Sequence, residues 1–481
     1  MPASFLHGVE TIETTVGGVQ VQLVKTAIVG LVGTAVGGPV NQIVQVAADT
    51  DFAQFGPAAA GFTIVDALND VYDQIETVVQ VVNVLDPLVH NSAEPAEAIT
   101  LGANDQATLA HPGVVTALPY AIKSADGTTT YTAGTDYTLD PLSGTVSRIA
   151  KGAIPALAQL KASYSYADPT QVTAADIIGG VNAAGLRTGM QCFMDGYSLL
   201  GYFAKLLIAP VWSTQASVSA ALTVMANRIR AIQFSDAPSG MTVQQVIEAR
   251  GPAGTINYDV SDERTVLCYP YVTVYDETTN TNVQRPLSGR AAGIQAKQDQ
   301  NKGYWWSPSN VGIQNILGTE RPITSMVNDP NCEANLLNAA GITTVFSSYG
   351  TGYKLWGNRS SAFPASTQPT QFISVRRTAD IIEESLEYFT QQYNDAPMSN
   401  ALIDTILESA NGFIRALVGK GATIDGKAWF DPNKNPVTQL EGGQIAFSYD
   451  FMPPPPAERI TYEATINVNY LSKLSGSTQG N

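Results

Sequence analysis

Residues 204–236 read AKLLIAPVWSTQASVSAALTVMANRIRAIQFSD, an apolar run, a patterned stretch and a second apolar run. "AKLLIAPVW" has no polar alternation and reads as a strand buried on both faces. In residues 214–230, Val218, Ala221, Leu222, Met225 and Ile229 recur every three or four positions, which makes one helical face. Thr214 stands where an N-cap belongs. "AIQFSD" is a strand again. Upstream the same rhythm runs through the strand "VQLVKTAIVGLVG" (21–33), a helix over 62–75 with Ile64, Leu68, Val71 and Ile75 on one face, and the strand "TVVQVVNVL" (77–85). Downstream come the helix "TVQQVIEARG" and "RTVLCYPYVTVYD", read as a single strand. Strands that alternate with helices and lack a polar face belong in a parallel sheet covered by helices.

That rhythm is interrupted once. Residues 88–170 turn to Thr, Gly, Ala and Tyr; "TTTYTAGTDYTLDPLSGTVSRIA" reads as strand, turn and strand, and "AQLKASYSYAD" as one strand more. The fold class is therefore α/β plus β: a central parallel-sheet α/β domain (21–87 and 171–355) split by an inserted all-β domain (88–170) on an exposed, exterior face. A C-terminal α+β domain (356–456) follows, with extended arms at 1–20 and 457–481. In the C-terminal domain a helix over 378–394 turns Ile382, Leu386, Phe389 and Tyr393 inward and Glu383, Glu384 and Glu387 outward. A second, over 399–418, carries Leu402, Ile403, Ile406, Leu407, Ala410, Phe413, Ile414 and Leu417, with Ser399 as N-cap and Gly419 past its end.

Composition excludes several functions. The 481 residues hold 26 Lys and Arg against 42 Asp and Glu, a formal net charge of −16. Nucleic-acid backbones and anionic membranes need clustered cations, so neither is a partner. Charged residues are only 14% of the chain, against roughly 25% in an ordinary soluble domain, and a surface so poor in charge is suited to meeting protein. Cys192, Cys268 and Cys332 are widely spaced and fit a reducing compartment. The run "AIVGLVGTAVGG" is shorter than the ~20 residues of a spanning helix, so neither secretion nor membrane insertion is expected.

Chemistry is scarce. "GATIDGK" (421–427) matches G-x-x-x-x-G-K, but Ala428 stands where a P-loop needs Ser or Thr, and the stretch follows a helix where a strand is required. A Gly-closed helix end is the better account. With only His7, His90 and His111, and no G-x-S-x-G, a Ser-His-Asp triad has little material. "YWWSPSN" (304–310) lacks interleaved basic residues and reads as a core or interface cluster. No catalytic, cofactor-binding or metal-binding residue is assigned, and the chain is read as a structural protein and not an enzyme.

The segment "MPPPPAERITYEATINVNYL" (452–471) is different in kind. After Pro453–Pro456, which cannot donate to a ladder, Ile460, Tyr462, Ile466, Val468 and Tyr470 alternate with polar residues at the spacing of a strand. A lone strand is not stable in water, so the pattern leaves open where these five residues find a partner, while the stiff proline run holds the segment away from what precedes it.

Several blocks, in order, resemble the contractile tail sheath proteins of bacteriophages, a family that includes R-type pyocin and temperate-phage sheaths: "FLHGVETIE" leading to "VKTAIVGLVGTA", then "LLIAP", "KLWGNRSSAFP", "FISVRRTADIIEESLEYF" and "FSYDFMPPPPAERITYEATINVNYL". The resemblance covers most of 1–85 and 170–471. It implies a subunit that forms stacked hexameric rings around a tail tube, tied by arms that add strands to neighbouring subunits, and that contracts to drive the tube through the host envelope for genome ejection. By that resemblance Ile460, Tyr462, Ile466, Val468 and Tyr470 are the candidate inter-subunit strand, projected by the prolines and partnered in other chains. The implied partners are other copies of the chain, the tail tube protein, and the baseplate and tail terminator proteins. The implied location is the virion tail, assembled in the host bacterial cytoplasm. By resemblance to the family's attachment helix, the 399–418 helix is tube-facing and the C-terminal domain tube-proximal, with Asp404, Glu408 and Arg415 on the exposed side. The family's central domain has a subtilisin-like fold, which leaves a hydrolase as the rival reading; a static tube or capsid protein is the other.

Overall fold

Nine strands form the central sheet of the computed structural model, which describes residues 21, 23–251, 260–277, 279–348 and 350–475. Six of them are parallel, in the spatial order Val78–Asn83, Ile28–Gly33, Leu206–Ile208, Ile232–Asp236, Thr265–Cys268 and Ile342–Ser348. Antiparallel strands finish each side: Ile43–Val46 at one, Gly352–Trp356 and then Val311–Gly312 at the other. The molecule is thus mixed α/β.

The Ile28–Gly33 strand explains why the sequence shows apolar runs without alternation. All six of its residues are buried. Val29 and Leu31 point to a face covered by the Ile64–Tyr72 and Ser288–Asn301 helices, where they meet Leu68, Val71, Ala291 and Ile294. Ile28 and Val32 point to the other, covered by the Ala216–Ile229 helix through Val218, Leu222 and Met225. With period two, a strand sandwiched between helices needs apolar residues at every position.

Residues 91–167 form sheets of their own, all antiparallel. One has the order Asn91–Thr100, Gln159–Ala167, Ala121–Ser124, Thr130–Tyr131; the other has Gln106–Thr108, Thr145–Arg148, Tyr137–Asp140. Ile99, Leu101, Tyr137, Val146 and Leu160 make a separate apolar core between them. The strand that enters this region and the one that leaves it lie side by side, Asn91 opposite Ala167.

Five details differ from the sequence reading. Thr214 is not an N-cap: its hydroxyl turns back to the Val211 carbonyl (2.7 Å), closing a 3-10 turn, and Gln215 begins the helix. "RTVLCYPYVTVYD" is two strands, because Pro270 has no N–H for the ladder; Thr265–Cys268 stays in the central sheet while Val272–Asp276 joins a three-stranded sheet with Thr281–Arg285 and Gly318–Thr319. The first long C-terminal helix spans Ile373–Thr390, beginning five residues earlier than expected. The second spans Asn400–Lys420; Ser399 caps it as expected, accepting from Leu402 N, but its end is set by Gly421 in the left-handed region (φ 78°), with Gly419 inside the helix. Finally, Glu384 does not face solvent.

Glu384 belongs to a seam of ion pairs that docks the Ile373–Thr390 helix on the sheet. Its carboxylate meets the Lys205 ammonium at 2.5 Å, both side chains being buried, and Lys205 also donates to the Ile229 carbonyl at 2.9 Å. Burial holds Lys205 below its ordinary pKa, opposed by the Glu384 charge. Along the same helix Arg377 pairs with the buried Asp299, Asp380 with Arg264, Arg376 with Asp380 (2.9 Å) and Glu263 (3.5 Å), and Glu387 with Arg230 through both carboxylate oxygens at 2.6 Å. Polar residues on the docked face made its first turn unreadable by apolar periodicity. A buried charge left without its partner costs about 3–5 kcal/mol, whereas a whole pair replaced by packed apolar groups is often neutral. Glu384→Gln should therefore lower the unfolding free energy of the soluble subunit by about 3 kcal/mol or more in urea titrations, while Lys205→Met with Glu384→Leu should be neutral to stabilising.

Candidate interaction surfaces

The Asn400–Lys420 helix buries Ile406, Ala410, Phe413, Ile414 and Leu417. Phe413 and Leu417 pack with Ile381 and Ile382 of the docked helix and with Tyr304, so the first aromatic of "YWWSPSN" is core. Trp306 is exposed, with the Lys302 ammonium 4.5 Å from its ring centroid. On the outer side of the helix Asp404, Glu408 and Arg415 are all exposed, as read from the sequence. Glu408 and Arg415 pair with each other across two turns at 2.6 Å, a contact that the sequence reading did not anticipate.

"GATIDGK" is the turn out of this helix. Gly421 caps it, Ala422 is buried against Leu417, and Gly426 and Lys427 already begin a strand. That strand, Gly426–Phe430, pairs antiparallel with Phe447–Phe451, Ala428 opposite Tyr449. The two edges of this hairpin are unlike. Asn411 of the helix accepts from Ala428 N at 2.8 Å and donates to Ala428 O at 2.9 Å, so its side chain occupies the outer edge of the first strand as another strand would. Since Ala428 turns its backbone groups outward, Ala428 and Tyr449 are a pair without mutual hydrogen bonds, and Tyr449 must turn its own groups to the opposite edge. At that edge no strand pairs among the described residues. Sequence reasoning missed both roles, because Asn411 and Ala428 are 17 positions apart and carry no shared local signal.

The C-terminal arm has an unfilled need of the complementary kind. Ile460, Tyr462, Ile466, Val468 and Tyr470 are all exposed, Tyr462 at 91% and Ile466 at 94%. Within the single chain the segment is not a strand, contrary to the pattern: residues 452–467 have no regular structure and Val468–Leu471 is a 3-10 turn. No strand pairs with it among the described residues, and alternation alone does not hold a strand. The prolines also behave differently from expectation. Pro453 is buried and Pro454 and Pro456 half-buried, so the run lies along the subunit and does not stand off from it. The expected N-terminal arm, residues 1–20, lies outside the described residues, as does His7.

The histidines within the described residues are engaged in the inserted region and its base. His90 Nδ1 accepts from Asp86 N, and the His111 ring stacks on Tyr166 with centroids 3.9 Å apart. The most buried carboxylate near serines is Asp236, at the end of its strand. It accepts from Ser288 N (2.8 Å), the first residue of the Ser288–Asn301 helix, and from the Ser213 hydroxyl (3.4 Å), in a spot where all three residues are buried. Asp236 acts as a joint between sheet and helix.

Among the described residues, the Phe447–Phe451 edge of the hairpin and the strand-patterned C-terminal segment both lack a partner strand, features that suit a self-assembling structural subunit. Comparisons with known proteins make the class specific. Residues 170–361 match the phage tail sheath protein central domain and 365–467 the phage tail sheath C-terminal domain, while 89–176 match a family of unknown function. The chain is 52% identical to the tail sheath protein of Burkholderia phage BcepMu, over 99% of this chain and all of that one. It is 32% identical to a putative prophage major tail sheath protein of Pseudomonas aeruginosa, over 64% of this chain and 76% of that one. The chain belongs to the phage tail sheath protein family. Its fold matches that of the anti-feeding prophage helical sheath in the contracted state with a TM-score of 0.59 at 14% identity, over 97% of this chain and all of that one.

Burial pushes the Asp236 carboxyl up from 3.8 to about 7. An acid whose folded-state pKa is raised stabilises the fold in full below its unfolded value, and that contribution is lost as pH rises through the folded value. Asp236→Asn should therefore gain on the native chain between pH 5 and pH 8, seen as a Tm difference that moves in the variant's favour; a pH-independent difference would rule out this titration.

Proposed function

We propose that the chain is the polymerising subunit of a contractile phage tail sheath, which forms stacked hexameric rings around a tail tube and shortens to drive the tube through the host envelope. Subunits assemble in the host cytoplasm and end in the virion tail, where tube, baseplate and terminator proteins are the further partners. The central α/β body, the inserted β region on the exterior and the tube-proximal C-terminal unit divide the work of scaffold, outer surface and tube contact. One observation carries the reading: an exposed, strand-patterned arm coexists with a hairpin that has one open edge. The arm of one subunit adds to the Phe447–Phe451 edge of another, so each backbone ladder satisfies the other and the alternating side chains fix the register. The outline agrees with the relatives' names as tail sheath proteins and with the contracted sheath whose fold this chain resembles. Free energy stored in the assembled extended state would drive shortening without a nucleotide.

Purified tails in negative stain test the outline: striated sheaths of two lengths are expected, and turnover of a hydrolytic substrate by dispersed monomers would overturn it. The strand exchange has its own test. Proline is tolerated at an edge position whose N–H faces outward but cannot donate to an added strand. Tyr449→Pro should thus leave a folded, soluble subunit that does not polymerise, and a chain lacking residues 460–481 should do the same. Circular dichroism and sedimentation read both; normal polymers from either would remove the corresponding half of the ladder.

The exposed face of the Asn400–Lys420 helix meets the tube. Exposed charges contribute only about 0–1 kcal/mol each and are screened by salt. Many such contacts along a tail hold together yet let go individually. Because Glu408 is already paired with Arg415, Asp404 is the freer charge. Asp404→Lys with Glu408→Lys should spare self-polymerisation and impair assembly on the tube, and tails of normal yield from this variant would leave the face merely solvated.

A further inference from the structure

The root of the C-terminal arm is held where sequence reasoning expected a free spacer. After the buried Pro453 and half-buried Pro454 and Pro456, Glu458 meets Arg359: Nε donates to Oε1 at 2.9 Å and to Oε2 at 3.2 Å, and Nη2 donates to Oε2. Arg359 is itself fixed from three sides. Its guanidinium carbon lies 4.0 Å from the ring centroid of Phe363 and 4.9 Å from that of Phe372, Nη1 donates to Gln371 Oε1 at 3.0 Å, and its backbone bridges to Phe372. It follows the Gly352–Trp356 strand of the central sheet, and Phe372 directly precedes the docked Ile373–Thr390 helix. A planar fork packed against two rings presents its donors in a restricted direction. From Arg459 to Leu474 every residue is exposed.

We propose that Arg359 is the positioning residue of the arm: paired with Glu458, it pins the arm's root so that the strand-bearing segment starts at residue 459 and leaves in a fixed direction. This rests on the strand-exchange reading above. The consequence is one of effective concentration. With the pin, about a dozen residues (459–470) search for the neighbouring edge; without it the tether begins after the packed Pro456, and reaches about nineteen residues if the proline run comes away from the surface as well. Effective concentration falls roughly as the −3/2 power of tether length, so length alone gives a loss of up to about twofold, and lost direction adds to it.

The test uses the full-length chain. Arg359→Gln leaves the sequence around the Arg459–Ile460 bond untouched, so tryptic cleavage at that bond, followed by mass spectrometry on soluble subunits, reports release of the root. Arg359→Gln should be cut several-fold faster there and should polymerise only at a critical concentration raised about two- to tenfold. Glu458→Gln should raise the critical concentration equally, and the double variant no further, because one pair is lost in each case. Arg359→Lys, which keeps the charge without the fork, should fall between. If Arg359→Gln lowers the Tm of the subunit, Glu458→Gln, on an exposed residue, still reads the proposal. A chain truncated after Arg459 separates the two ideas. Wild-type polymerisation of the truncated chain would refute strand exchange itself; loss of polymerisation on truncation, with wild-type critical concentrations for Arg359→Gln and Glu458→Gln, would overturn the pin alone.

Discussion

The C-terminal half of this subunit hangs on the ion pairs along the Ile373–Thr390 helix. Lys205–Glu384 and Arg377–Asp299 are buried pairs, and buried charges tolerate little misplacement because each needs its partner at hydrogen-bond range. That helix in turn supplies Ile381 and Ile382 as the floor for the Asn400–Lys420 helix, whose Asn411 blocks one edge of the terminal hairpin and so decides which edge stays open. At the helix's beginning Phe372 helps hold Arg359, which grips the arm. Apolar packing alone would permit small slides of the helix over the sheet. The charged seam fixes its register, and with it the positions of both the open edge and the arm root.

How much of this was legible in the sequence follows from which interactions are local. The Ile28–Gly33 and Leu206–Ile208 strands and the Ala216–Ile229 helix could be read because period and burial coincide there: apolar at every position for a strand covered on both sides, apolar every third or fourth for a helix covered on one. The Ser399 cap was legible for the same reason, since its partner Leu402 N is three residues away. Glu384 was misread because a charged residue on a helix is assumed to face water, and only the position of Lys205, 179 residues earlier, decides otherwise. The break at Pro270 was legible in principle, from the missing N–H. Of the candidate interaction residues, the arm's apolar set and the exposure of Asp404, Glu408 and Arg415 came from pattern, while Arg359, Asn411 and the open edge at Tyr449 depend on pairings between distant segments.

The arm illustrates how a strand pattern differs from a strand. Ile460, Tyr462 and Ile466 alternate as well as any core strand, yet they stand in water, because alternation specifies which face to bury and supplies nothing to bury it against. Exposed apolar residues in a row with unpaired backbone groups would ordinarily be an aggregation hazard. On the proposed strand-exchange reading, the unpaired Phe447–Phe451 edge of the hairpin would give that hazard a defined outlet.

A polymer that changes length while staying connected places opposite demands on its links. The bond between subunits must survive reorientation, which suits a β-ladder, whose many backbone hydrogen bonds are lost only together. The direction in which the linking segment leaves each subunit must be defined during assembly, yet must not transmit every rotation of the body into the ladder. A single partly exposed Arg–Glu contact meets the second demand: alone it contributes little against water and salt, so it can orient the arm while subunits are being added and yield before the ladder does. On the strand-exchange reading, a pin weaker than the ladder would let rigid bodies rotate about an arm root without detaching.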